Sequence, residues 1–253
     1  MIRIGQCHKC ANGKLAYQEI DNFKTIIVMT KSRSVWHPLS PYCLKDKYGR
    51  IFENIWQFSK LYPRIYKHRE VKSRFDHTPI WYQDDEIHLQ NNQLTPEYFE
   101  WRRRGMYSPE SISYPNGNNS RHHECMGAFK DVDGEIDLSR LLSYIEARKE
   151  IYLPLYVSLV TDPNNKAYER FYKLATMLRK GTNLLILEID GPKAKYLPYY
   201  QDRYNVPDSF IENGSMLATE DNLNLMLNDP ISPFGHGYCL AWALKNLPLP
   251  ISL

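Results

Sequence analysis

Apolar positions recur at two different spacings along this chain, and the change of spacing marks out its elements. Near the N-terminus, residues 14–19 and 24–30 form short β-branched and apolar runs, which predict a small strand system. A turn-rich passage, Trp36-His37-Pro38-Leu39-Ser40-Pro41, leads to the turn signal Asp46-Lys47-Tyr48-Gly49. From 52 to 62 apolar residues return every three or four positions, so a helix is expected there, ended or kinked by Pro63. Residues 84–95 are polar and read as a loop, and 96–106 as a helix start followed by an aromatic-basic run through Arg104. The Ser, Pro, Asn and Gly content of 107–121 gives a long loop. Helices are expected over 136–150 and 164–180, the second closed by Arg179-Lys180-Gly181. A buried strand is expected over 183–189, ending in Asp190-Gly191-Pro192, and a last helix over 238–246. The fold class is therefore α+β and helix-dominated, with no alternating βα register, in one domain.

Composition narrows the picture. The chain has 253 residues, enough to bury a sizeable core. Thirty-two basic and 29 acidic residues leave a net charge of +3. That is too small an excess for a mainly electrostatic nucleic-acid binder. Apolar residues make up 43% and charged residues 24%, a globular balance. Apolar runs such as 26–29 and 184–187 are far too short for a membrane span, and the N-terminus shows no secretory signal. Five cysteines, an odd number, point to a reducing compartment, the cytoplasm, rather than a disulfide scaffold. The 19 tyrosines and 5 tryptophans suit either half-buried packing or stacking against sugars and bases.

The expected helix over 52–62 carries the densest chemistry. At about 100° per residue, Glu53, Trp56, Gln57 and Lys60 share one sector, and Phe52, Ile55, Phe58 and Tyr62 occupy the other. The apolar side must face the core. Open to water, the polar side is only a solvated face with weak contacts. Covered by a cleft, Glu53 and Lys60 become a functional carboxylate and ammonium.

Here the sequence resembles a known family. Glu53, Trp56, Gln57 and Lys60 fit Glu-x-x-(Tyr/Trp)-Gln-x-x-Lys of the NADAR superfamily, the YbiA-like proteins, and Leu39-Ser40-Pro41-Tyr42 is similar to the aromatic segment that precedes it. Met216-Leu217-Ala218-Thr219-Glu220-Asp221 resembles the family's Leu-Leu-Ala-Thr-Gly-Asp. Asp229 followed by Phe234-Gly235-His236-Gly237 is similar to Asp-x-x-Trp-Gly-x-Gly, and Trp101, Arg104 and Met106 to a middle Trp…Arg…Met element. The chain departs from the pattern at Asn54, where the family has His, at Phe234, and in the longer spacing from Asp229. The resemblance covers 36–62 and 211–246 well, 97–106 loosely and the middle hardly at all. It implies a strand segment at 1–35, then a NADAR-like domain over 36–253 with an insertion at about 107–210.

The resemblance also implies N-glycosidic chemistry on an ADP-ribosylated nucleobase, such as ADP-ribosyl guanine in DNA, or on a related ribosylated nucleotide, with no required cofactor. Such a reaction needs a carboxylate beside the developing oxocarbenium ion and an acid for the departing base. Glu53 is the first choice for acid/base work and Asp229 the second. Lys60 is suited either to hold a phosphate or to attack the sugar carbon as an amine and form a Schiff base. Trp56 and Trp101 offer faces to a base, with Gln57 and Phe234 beside them. Arg104, with Arg102 and Arg103, matches a diphosphate, and Gly235 and Gly237 allow backbone N–H groups to approach a phosphate. The other readings of the same residues are a nucleotide or nucleic-acid binding module without hydrolysis, and a base-modifying glycosyl transferase.

Cys7-His8-Lys9-Cys10 looks like half of a zinc knuckle, but no second Cys-x-x-Cys follows. Completing it would take Cys43, Cys125, His122 or His123 across the fold, and a free thiol pair is the simpler reading. Glu188 and Asp190 form a further carboxylate pair at a strand end.

Overall fold

The computed structural model describes residues 1–10, 14–28, 34–66, 84–115 and 124–246. His122 and His123 lie outside them. The architecture is mixed α+β with more helix than strand, as the periodicity requires. Two compact units divide the chain, Lys45–Leu155 and Met1–Leu44 with Tyr156–Leu253. This cuts the chain differently from the 1–35 and 36–253 segments read from sequence.

In the Lys45–Leu155 unit, helix α1 (Phe52–Phe58) is buried on every side. It stops earlier than the pattern suggests, at Ser59, whose backbone N–H and Oγ both donate to the Ile55 carbonyl. Lys60–Leu61 then forms a short antiparallel pair with Gly127–Ala128, so Lys60 sits just past the helix. Helix α2 (Pro96–Met106) starts on Thr95, whose Oγ1 accepts from the Tyr98 N–H, with Pro96 at a position that needs no donor. Its inward residues Tyr98, Trp101, Arg102, Gly105 and Met106 follow helical spacing and close on Ile55, Phe58, Tyr62 and Phe129. The helix expected over 136–150 begins only at α3 (Tyr144–Ala147), opened by a reciprocal Ser143–Glu146 capping box. Residues Glu135–Ile136 pair instead with Asp131–Val132. After α3 the chain makes one wider π turn, Arg148–Tyr152.

The other unit is built on a sheet. Its strands are β1 (Ile2–Lys9), β2 (Leu15–Tyr17), β3 (Phe23–Ile27), β4 (Asn183–Glu188) and β5 (Ser215–Leu217), in the order β5-β1-β4-β3 with β2 also on β1. β1 runs parallel to β4, and β4 parallel to β3, with Ile2 opposite Leu184 and Gln6 opposite Glu188. The strand β4 thus lies inside the stretch 107–210 that the resemblance reads as an insertion, and it is an inner strand. The helices that follow are α4 (Leu153–Thr161), α5 (Tyr168–Arg179), α6 (Leu197–Tyr204), α7 (Glu220–Asn228) and α8 (His236–Asn246), of which α5 and α8 pack on the sheet. α5 ends as expected, with Gly181 at φ +85° donating to the Leu178 carbonyl.

Candidate functional site

The polar edge of α1 is enclosed. Glu53 and Gln57 are each 7% exposed and Trp56 is buried, while Lys60 keeps partial access. Gln57 Nε2 donates to Glu53 Oε1 at 2.8 Å, and Lys60 Nζ donates to Gln57 Oε1 at 2.7 Å. The amide orientation follows from this chemistry, since a carboxylate only accepts and an ammonium only donates. The result is a carboxylate–amide–ammonium chain. The Lys60 ammonium also lies 4.8 Å from the Trp56 ring centroid, a cation–π contact. Cys125 stands close enough that the Lys60 charge opposes the burial that raises its thiol.

Three residues that sequence reasoning left out complete this region. Tyr152 meets Trp56 and Phe52 edge-on, each at 4.9 Å between ring centroids. Tyr144 lies 6.4 Å from Trp56, and the buried Arg148 guanidinium sits 4.1 Å over the Tyr144 ring. Positions 144, 148 and 152 recur every fourth residue, so one helical face was visible in the sequence. What that face meets was not. Tyr144 is 44% exposed although Arg148 covers one face of its ring, whereas Trp56 is buried and committed to Lys60 and Tyr152.

Asn54, the position of the family's His, is fully buried and acts as a latch. Its Nδ2 donates to the carbonyls of Ser108 and Glu110, and its Oδ1 accepts from the Ile112 N–H at 2.8 Å. It fixes the first part of the 107–121 loop rather than offering a proton.

Several expected binding residues have other roles. Trp101 is 1% exposed and packs among Phe58, Tyr62, His88 and Tyr98, so its ring is core and not a platform for a base. The arginine run splits. Arg102 is buried and donates to the Phe58 and Phe129 carbonyls, a structural tie. Arg104 stays partly exposed, pairs with Glu100 at 2.6 Å, and lines a hollow of about 320 Å³ with Arg103, Tyr107, Ser108 and Pro109.

In the sheet unit, Asp229 is wholly buried. Oδ1 accepts from the Tyr199 and Tyr204 hydroxyls at 2.7 and 3.1 Å, and Oδ2 from the Ser232 N–H at 2.8 Å. This carboxylate ties α6 to the turn after α7, which corrects its assignment as a catalytic group. Burial and the bond to Asp229 push the Tyr199 phenol well up, so it donates at any ordinary pH. Phe234 is buried and stacks on Tyr238 at 5.1 Å, another core ring.

Gly235 and Gly237 do make room for an anion, but the anion is the chain's own. Glu188 Oε2, at the end of β4, accepts from the Gly237 N–H at 2.7 Å and lies 3.2 Å from His236 Nδ1. A Cβ on Gly235 would stand 2.7 Å from that oxygen, so the glycine gives room to Glu188 and not to a phosphate. A carboxylate at the first turn of α8 is favourable with the helix dipole.

Cys7 faces the apolar cluster with Leu185 and Leu187. Burial, then Glu188 and Asp190, push its thiol up to about 12, the reverse of what a metal thiolate needs. Among the described residues no group of three His, Cys, Asp or Glu side chains is placed to hold a metal, so Cys7 and Cys10 gain no further ligands there. Among the same residues no helix is long and apolar enough to cross a membrane. No protein-family model matches the chain, and no curated protein or solved structure matches it significantly.

Proposed function

We propose that the chain is a cytoplasmic N-glycosidase of the NADAR type, acting on an ADP-ribosylated nucleobase, with ADP-ribosyl guanine in DNA the first substrate to test, or on a related ribosylated nucleotide. The observation that carries this reading is the enclosed Glu53–Gln57–Lys60 chain, because a merely solvated helix edge would lie in water. Breaking a ribosyl–base bond builds positive charge on the anomeric carbon and negative charge on the base. The Glu53 carboxylate balances the first or, as acid, protonates the second, and its effect is large because water is kept out. Lys60 gives up one ammonium proton, its amine adds to the sugar carbon as the bond to the base breaks, and the departing base takes up that proton. Opening of the sugar ring then gives a Schiff base that water hydrolyses. Gln57 holds both groups in register, Tyr144 offers a ring for the base, and Arg104 with Arg103 suits the diphosphate.

The test follows ADP-ribose release from ADP-ribosylated DNA by mass. Glu53→Gln is expected to lower release by about two to four orders of magnitude. Undiminished turnover removes Glu53 from the mechanism. Borohydride is expected to trap a protein–sugar adduct that Lys60→Ala abolishes, whereas cleavage without a trapped adduct reduces Lys60 to an electrostatic role. Binding without release under any condition would replace the enzyme reading by a nucleotide-binding module.

A further inference from the structure

The turn preceding the first helix holds a thiol and an imidazole that the glycosidase reading does not use. Cys43 Sγ lies 2.9 Å from His37 Nε2, and both side chains are only half-buried. The backbone fixes this approach. His37–Leu39 is a 3₁₀ turn opened by Pro38, the Ser40 N–H returns to the His37 carbonyl, and the Cys43 N–H returns to the Ser40 carbonyl. Buried Trp36, Leu39, Ser40 and Leu44 anchor the turn, and the Tyr156 hydroxyl donates to the Leu39 carbonyl at 2.7 Å. The pair is therefore preorganised, with a nucleophile and a base in hydrogen-bond reach and open to small molecules. On the same unit, α5 places the Lys173 ammonium 5.9 Å from the ring of Trp36, the residue before His37.

We propose that Cys43, with His37 as its base, is a site of S-thiolation by low-molecular-weight disulfides. His37 Nε2 takes the Cys43 proton as Sγ attacks one sulfur of the disulfide. The S–S bond breaks, a new S–S bond to Cys43 forms, and the leaving thiolate takes the proton from His37. Cys43 sulfur is oxidised, the leaving sulfur is reduced, and no further oxidant is needed. Burial pushes the Cys43 thiol up, so its thiolate forms during attack and not beforehand. Cys125 differs in giving its S–H to the Gly127 carbonyl, and Cys7 and Cys239 are buried.

The test exposes the full chain to glutathione disulfide and maps adducts on all five cysteines by mass. The expected result is one adduct, on Cys43, forming at least ~10-fold faster than on Cys10 or Cys125. In His37→Gln, with an unchanged far-UV spectrum, that rate falls by ~10-fold or more. Should the variant fail to fold, the native chain decides alone. Its adduct ranking, with Cys43 at least ~10-fold ahead of Cys10 and Cys125, is then the readout. Even labelling of Cys10, Cys43 and Cys125, or an unchanged rate in a folded His37→Gln, would overturn the proposal. None of these readouts depends on Glu53 or on ADP-ribose release.

Discussion

Glu86 and His88 sit two residues apart in the Lys45–Leu155 unit, and the same burial moves them in opposite directions. The Glu86 carboxyl is pushed up to about 8, first by burial and then by Glu100 and Glu97 on α2. His88, between the rings of Tyr98 and Trp101, is held down to about 4 by burial. Folded Glu86 keeps a proton that an ordinary carboxyl near 4.5 has lost, so its contribution to stability falls as pH rises from 4.5 to about 8. Folded His88 stays neutral where an ordinary imidazole near 6.5 is charged, so its contribution falls as pH drops from 6.5 to about 4. Between the two ordinary values the slopes cancel. Above pH 6.5 Glu86 acts alone, at about 1.4 kcal/mol per pH unit. Denaturant titrations from pH 6.5 to 8 should therefore show the native chain losing about 2 kcal/mol. Glu86→Gln should show little of that loss, and equal slopes would contradict the assignment.

The crossing of α1 and α2 turns on Gly105. A methyl group there would stand 2.0 Å from ring carbons of Phe58, far inside contact distance. Helix propensity alone favours alanine by about 1 kcal/mol, yet overpacking of this kind costs about 1–3 kcal/mol or more. Gly105→Ala should accordingly lower the melting temperature, and adding Phe58→Leu should restore part of it. A neutral Gly105→Ala would mean that the helices can move apart freely. The two helices were legible beforehand, α1 from its apolar recurrence and α2 from its start signal at Pro96. The α5 ending and β4 were legible for similarly local reasons, a glycine past the last turn and an unbroken apolar run. β1 was not, since its short Ile-x-Ile alternation gains meaning only from partners near residues 184 and 216. α7 was hidden by asparagines of low helix propensity, although Thr219 caps it and Leu223, Met226 and Leu227 carry its apolar spacing. At the site, the Glu53–Lys60 sector was readable from angular spacing alone. The real tasks of Trp101, Asp229 and Asn54 draw on partners tens of residues away, such as Phe58, Tyr199 and Ser108, which spacing cannot supply.

On the scale of the whole molecule, the sheet unit joins the first residues of the chain to those near 185 and 215. β1 has neighbours on both sides, so its removal exposes two rows of backbone donors and acceptors at once. Deleting residues 1–9 should abolish amide-exchange protection at Leu184 and Ile186, whose N–H groups face β1, and protection equal to that of the full chain would show that β1 is dispensable. The same unit shows how the start of α8 is used. Glu188 furnishes from within the negative charge that many proteins leave for a visiting phosphate at such a terminus. Nothing from outside can dock there without first evicting a side chain rooted in the middle of the sheet. On the proposed glycosidase reading, recognition of the charged substrate falls to arginines, lysines and tyrosines elsewhere, each of which can be exchanged singly while the scaffold stays put. Preference for one guest over another can then drift by point changes, which a grip made of main-chain amides would not permit.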